Sequence, residues 1–455
     1  MKDIYNDPDR TYSDEQIELI IKNSPQNHKE AGFEKGWDSR FDTWFKLLKE
    51  LGFVKYAMGE AIEITETGHM LVDAFNEEPC NDKKIQLVFL NAFAKYQTSN
   101  PLRRNLNDNA PLPVLLKVIK YLHDDPDEND AGVAKHELPI LICWPDNDAF
   151  AIYKFIKKIR KKYGFKCSND VIYSHCMELL ESNNTKLFKL VQICFELVDE
   201  YIRKMRMTGL LSLRGNGRFL DINTFEADLA EYVADTYINY KKFTDSNQYV
   251  EYMGSIDNQI LNIAQQTVSD YTDIRKQTLN EYAQSNTKEF IRQELINLCK
   301  RKNTNDPILK YIPEPTRLEF LTSVALVQQY PGLDVNPNYV VDDEGLPINT
   351  AGGGKADIEC YDQDYDSYYE VSLMCGRSDQ INNEIIPIAR HLRQVISDKR
   401  SESFSVFIAP VVHNDTKEAA DWQNNKYQIR ILSFDIPEFI DAIEKTNKAS
   451  DLMSI

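Results

Sequence analysis

Lys355-Ala356-Asp357-Ile358-Glu359-Cys360 and Tyr369-Glu370-Val371-Ser372-Leu373 decide the fold of the C-terminal third of this chain. Each alternates polar and apolar side chains as a half-buried strand does, and the polar stretch from Asp362 to Ser367 predicts the turn of a hairpin. Alternation puts Asp357 and Glu359 on one face and Ile358 and Cys360 on the other. On the second strand Glu370 and Ser372 oppose Val371 and Leu373. If Asp357 and Glu370 face each other across the hairpin, two carboxylates converge, and hard divalent cations prefer such oxygen clusters.

Working outward, Pro315-Thr316-Arg317-Leu318-Glu319 opens a helix that brings a third carboxylate, Glu319, from outside the hairpin. Downstream, Gln380, Glu384 and His391 are spaced by four and seven residues, which places all three on one helical face, and Pro387 kinks that helix. An ordered series of acids followed by a histidine is the equipment of a metal-dependent phosphodiesterase. Bound Mg2+ neutralises charge on the phosphate and generates a nucleophilic water near neutral pH, and a histidine serves as general acid, general base or hydrogen-bond donor. Glu359, Asp364 and Asp366 read as solvated surface charges. Gly352-Gly353-Gly354 lacks the Lys-Ser or Lys-Thr of a phosphate loop and reads as a flexible lead-in to the strand.

The order Glu319, Asp357, Glu370-Val371-Ser372-Leu373, Gln380, Glu384 and Arg390-His391-Leu392 resembles the AlwI-type family of type IIS restriction endonucleases, which includes strand-nicking relatives. Val406-Phe407-Ile408-Ala409-Pro410 and His413-Asn414-Asp415-Thr416 resemble the strand and loop that follow. The likeness is strong over about residues 310–440 and looser upstream. It implies a variant PD-(D/E)xK nuclease domain, with Glu319, Asp357, Glu370, Glu384 and His391 catalytic and Mg2+ held by Asp357, Glu370 and Glu319. Where the general nuclease motif has lysine, two residues after Glu370, this chain has Ser372, and the family also shows a small hydroxyl residue there. The resemblance therefore leaves polarisation of the water to Glu384 and His391, with Lys355 a weaker candidate.

With 455 residues, the chain is long enough for two or three domains, each burying its own core. Met1 to Arg10 is no charged-then-apolar leader and no apolar run reaches 18 residues, so neither secretion nor membrane insertion is expected. The 8 cysteines are scattered without a Cys-x-x-Cys pair, which fits a reducing cytoplasm and indicates neither a zinc cluster nor a disulfide framework. Net charge is -18, at odds with DNA binding by its sum but not by its distribution. Ala151 to Leu220 holds 14 Lys plus Arg against 6 Asp plus Glu, a local +8. That contrast predicts a DNA-facing stripe carrying Lys157, Lys158, Arg160, Lys161 and Lys162, the alternative being a solvated helix face.

Near the N-terminus, a helix over Phe41 to Leu51, short β-runs at Gly52-Phe53-Val54 and Ala61 to Thr65, and a helix over Gly68 to Phe75 suggest a winged helix. A second unit combines Val133 to Pro139, the basic helix Tyr153 to Tyr163 and a hairpin tipped by Gly215-Asn216-Gly217, where Arg214 and Arg218 are placed to reach a groove or phosphates. Arg103, Arg104, Arg203 and Arg206 are further candidates. The fold expected is multidomain α+β: a winged-helix-like DNA-recognition region over 1–225, a helical linker or interface region over 226–305 and a C-terminal α/β nuclease domain over 306–455.

The function expected is Mg2+-dependent hydrolysis of double-stranded DNA at a fixed distance outside a short asymmetric site. Double-strand cleavage then calls for a second copy or a small catalytic subunit, and a cognate DNA methyltransferase is the implied companion. A nicking enzyme is the near alternative and a non-cleaving DNA-binding regulator the distant one. Hydrolysis of sugars by a carboxylate pair is disfavoured by the basic stripe.

Overall fold

The structure, a computed structural model, describes residue 15 and residues 46–55, 62–77, 81–103, 107–128, 132–266, 272–352, 354–363, 365–399 and 403–455. Residues 41–45 of the first expected helix, Ala61, Arg104, Gly353 and Asp364 lie outside the described residues. After a helical turn at residues 46–50, β1 (Val54–Lys55) pairs antiparallel with β2 (Glu63–Ile64). Helix α1 (Glu66–Asn76) follows, capped by the Thr65 hydroxyl, which accepts the Gly68 amide. Helices α2 (Asp82–Lys95) and α3 (Pro111–His123) come next, α3 starting on a proline whose missing amide costs nothing at that position.

Strand β3 (Val133–Ala134) leads to α4 (Leu138–Cys143) and α5 (Ala149–Tyr163). Asp148 caps α5 and Gly164, at φ +66°, ends it. Its buried Ile152, Ile156 and Ile159 form one apolar stripe. Beyond α6 (Asn169–Leu179) and α7 (Leu197–Arg206), the expected hairpin forms from β4 (Leu211–Arg214) and β5 (Phe219–Ile222). Gly215, Asn216 and Gly217 all take positive φ in its turn, and β3 adds to β5.

The helical stretch over 226–305 is not a free linker. Helices α8 (Ala227–Tyr237), α9 (Ser246–Gly254) and α10 (Asn258–Gln266) pack on α3, β1 and α2. Helices α11 (Thr272–Ser285) and α12 (Lys288–Cys299) pack instead on α13 (Glu314–Gln329). Leu279, Ile291, Leu295 and Leu298 of this stretch are buried.

Helix α13 is buried on every side over most of its length, as befits a central helix. Strands β6 (Asp334–Pro337), β7 (Tyr339–Val341), β8 (Pro347–Ala351), β9 (Ile358–Tyr361) and β10 (Asp366–Val371) follow. A helical turn at Arg377–Gln380 passes through a wide π turn at Ile381–Ile385 into α14 (Ile386–Lys399). Pro387, which lacks an amide to donate, accounts for the irregularity. Strand β11 (Ser403–Ala409), α15 (Asn414–Tyr427), β12 (Ile431–Asp435) and α16 (Ile436–Glu444) complete a sheet ordered β12-β11-β10-β9-β6. Its β10-β11 and β11-β12 pairs are parallel, and β9 and β6 add antiparallel.

Strand β11 is buried along all seven residues, as a parallel strand covered on both faces must be. One contiguous apolar core runs from Leu51 through α3, β4 and α13 to Leu452. No helix among the described residues is long and apolar enough to cross a membrane. The seven described cysteines are free thiols.

Candidate active site

Asp357 precedes β9 by one residue, and the pairing of Tyr369 with Ile358 carries on to set Glu370 across from Asp357. Asp357 Oδ2 accepts the Val371 amide at 2.8 Å, which pins the carboxylate at the end of the hairpin. Glu319 reaches the same place from α13. It is 3% exposed, and its Oε2 accepts the amide of Ala351 on β8 at 3.0 Å. Glu384 comes from the π turn and His391 from α14, with His391 Nδ1 4.0 Å from Glu370 Oε1. All five line one cavity of 480 Å³, together with Ser372, Lys355 and Asn383.

Burial and the neighbouring Glu384 push Glu370 well above the usual carboxylate range. Burial also pushes Glu384 up to about 7, against a hydrogen bond from Ser372 that lowers it. Ser372, standing in the lysine's place, thus holds a carboxyl group rather than supplying a charge. His391 is lowered, first by burial and then by Arg390, and its buried Nδ1 has no hydrogen-bond partner. The cavity therefore gathers carboxylates in a medium that penalises their charge.

Among the described residues, no three His, Cys, Asp or Glu side chains are gathered tightly enough to hold a metal ion unaided. Mg2+ commonly takes one or two carboxylates and completes its octahedron with water and substrate phosphate oxygens. Asp357 and Glu370 are hard oxygen donors in that number, and the crowding of Glu370 by Glu384 is what a cation relieves. The residues present fit Mg2+.

Gln380 departs from the helical face expected of it. Its amide donates to the carbonyls of Met374 and Val411 and accepts from Thr416, outside the cavity. The π turn adds a residue between Gln380 and His391, so regular helical spacing does not carry through. No local pattern marks β8, whose Thr350 and Ala351 line the cavity.

Some cations of the basic stretch are turned inward, while most are exposed. Arg160, 7% exposed, binds both oxygens of Glu137 at 2.8 and 2.7 Å, Glu128 at 2.9 Å and the Gly132 carbonyl. Lys157 pairs with Asp125 and with Asp127 at 3.1 Å. Arg214 pairs with Asp221, Asp343 and Glu344 instead of reaching from the hairpin tip. Arg206, 3% exposed, pairs with Asp342 at 3.0 Å, and Arg103 pairs with buried Glu50 at 3.0 Å. The expectation of one DNA-facing stripe is thus corrected for Arg160, Arg206 and Arg214, whose guanidinium groups satisfy carboxylates within the fold. Lys158, Lys161, Lys162, Arg203 and Arg218 are exposed.

A family model described as AlwI restriction endonuclease matches residues 49–271 and 236–441 of this chain. No curated protein matches it. Among solved structures, the small subunit (R.BspD6I2) of the heterodimeric restriction endonuclease R.BspD6I is 22% identical, with a TM-score of 0.28, covering 34% of this chain and 77% of that one. Restriction endonuclease FokI is 11% identical, with a TM-score of 0.29, over 94% of this chain and 84% of that one. FokI bound to DNA gives 10%, a TM-score of 0.28, and coverage of 92% and 81%.

Proposed function

Because this chain belongs to the AlwI restriction endonuclease family, and is thereby a type II site-specific deoxyribonuclease, we propose that it binds a short asymmetric duplex site and hydrolyses DNA a fixed distance outside it, using Mg2+. The observation that carries the reading is the meeting of Glu319, Asp357, Glu370, Glu384 and His391 around one 480 Å³ cavity. The N-terminal half, with its winged-helix-like order of helix, two strands and helix, reads the site, and the PD-(D/E)xK-like C-terminal part cuts. The packing of α8 to α10 on the former and α11 to α12 on the latter supports a division between Gln266 and Thr272, inside the helical stretch.

Asp357 and Glu370 would hold Mg2+, with Glu319 completing the acidic wall. Mg2+ held there would supply positive charge against the scissile phosphate and make water more acidic. The Val371 amide keeps Asp357 aimed inward, and the Ala351 amide does the same for Glu319. Glu384, hydrogen-bonded to Ser372, is placed to take the proton of the attacking water. His391 stands beside Glu370 with a free ring nitrogen for a phosphate oxygen or a water. In-line attack leaves a 5'-phosphate and a 3'-hydroxyl.

One such cavity serves one strand, which favours a second reading within the same chemistry: a nicking enzyme, or a large subunit that needs a second copy or a small catalytic partner to cut both strands. A cognate DNA methyltransferase protects the site in the cytoplasm of the same cell. Supercoiled plasmid and mixed-sequence linear DNA, incubated with Mg2+ or with EDTA beside an Asp357→Ala control, test the proposal. Discrete Mg2+-dependent fragments lost in the variant establish double-strand cleavage, and open circles alone establish nicking. Intact DNA under all conditions leaves a binding protein.

A further inference from the structure

The turn between β7 and β8 carries three consecutive acids, Asp342, Asp343 and Glu344, and all three are gripped by the N-terminal half of the chain. Asp342 is fully buried against Arg206, whose other nitrogen donates to the Tyr311 carbonyl at 3.2 Å. Asp343 accepts from Arg214 at 2.7 Å, from the Thr224 amide at 2.9 Å, from the Thr224 hydroxyl at 2.7 Å and from the Ser212 hydroxyl. Glu344 closes on Arg214. Behind the turn, the Thr278 hydroxyl of α11 donates to the Glu344 carbonyl at 2.9 Å. A Cβ on Gly345, at φ +72°, would meet that hydroxyl at 2.2 Å. The turn is therefore wedged, with no room to shift against either neighbour.

From this turn β8 runs ~13 Å, at about 3.3 Å per residue, to Ala351, whose amide holds Glu319 in the catalytic cavity. One short rigid strand thus links the hairpin of the proposed reader to the wall of the proposed cutting site. A tethered nuclease would sample several phosphates, whereas one bolted to its reader presents its cavity to a single one. We propose that the 342–344 turn, seated on Arg206 and Arg214, is the ruler that fixes the distance between the recognition site and the cut bond. The inference rests on the reading of the chain as an enzyme that cuts outside its site.

End-labelled duplexes carrying the recognition site, cut by the full-length protein and resolved to single nucleotides, test it. The wild type is expected to cut one phosphate. Asp343→Ala combined with Glu344→Ala is expected to spread cleavage over two or more neighbouring phosphates while site binding, read by gel shift, stays within about twofold. Asp343→Asn, whose one remaining oxygen can still accept from Thr224 while its amide nitrogen faces the Ser212 hydroxyl, is expected to spread it less, and carries the test if the double variant does not fold. Arg292→Ala, which breaks an ion pair with Asp441 and Glu444 away from the turn, is expected to leave the position alone. An unchanged cut position in both Asp343 variants, at whatever rate, overturns the ruler. A wild type that cuts inside its site overturns the underlying reading instead.

Discussion

The basic stretch of the proposed reader and the candidate catalytic cavity invert each other. In the stretch, three of the cations are answered within the fold: Arg160 by Glu137 and Glu128, Lys157 by Asp125 and Asp127, and Arg214 by three acids. In the cavity, Glu370 and Glu384 crowd each other, and burial pushes both upward. Like charges left together in a low-dielectric setting cost stability that folding does not recover, so their persistence marks a place meant for something that is not protein. Charge that finds its partner within the chain is architecture, even where its count looks like a binding site.

The largest effect expected is at the cavity. Asp357→Ala should lower cleavage roughly 1,000-fold, about 4 kcal/mol in the barrier, with gel-shift affinity for the site retained. Loss of binding in parallel would show that the carboxylate is structural. Arg160→Ala should cost about 3–5 kcal/mol of stability, the usual result of leaving buried carboxylates without their cation, read as a fall in the denaturation midpoint. If stability holds and DNA affinity drops instead, the two regions are not opposites.

Substituting Lys158, Lys161 and Lys162 together by alanine should flatten the dependence of log Kobs on log salt, by about 0.9 for each lysine that meets a phosphate. No change in slope would assign these exposed lysines to a merely solvated face. The smallest effect is one of pH. Hydrogen bonds from Lys157, then Tyr153, then the Asp127 amide hold Asp125 at about 2, below its ordinary 3.8. A depressed carboxyl pKa contributes stability that is fully present above the unfolded value and drains away as pH falls toward the folded one. Denaturation midpoints compared between about pH 5 and pH 2 should show this loss in the wild type and a shallower one in Asp125→Asn.

Much of the cavity was legible because its information is local. The alternation around Asp357 and Glu370 sets their faces, and the polar turn between them sets the register. The proline-opened helix of Glu319 needed nothing from elsewhere. What was hidden depends on partners distant in the chain, such as Asp342 for Arg206, 136 residues away, and Asp343 for Arg214, 129 residues away. No count of charge within a window reveals such pairings. Arg160 is a partial exception, since it lies four residues after Ile156 and beside Ile159 on the apolar stripe of α5, and that spacing already aimed it inward. The partners of the helical stretch were hidden for a similar reason, because its buried leucines and isoleucines find α13 only in three dimensions.

The π turn at Ile381–Ile385 lets one helix keep two appointments that ordinary helical phase would set against each other. Upstream, Gln380 ties down the loops at Met374 and Val411; downstream, Glu384 and His391 look into the cavity. Each residue turns an α-helix by about 100°, so deleting one residue here would let the helix run in regular phase while making anchor and cavity compete for its orientation. Loss of Asn382 would undo that arrangement by a single in-frame step that leaves every acid in the sequence.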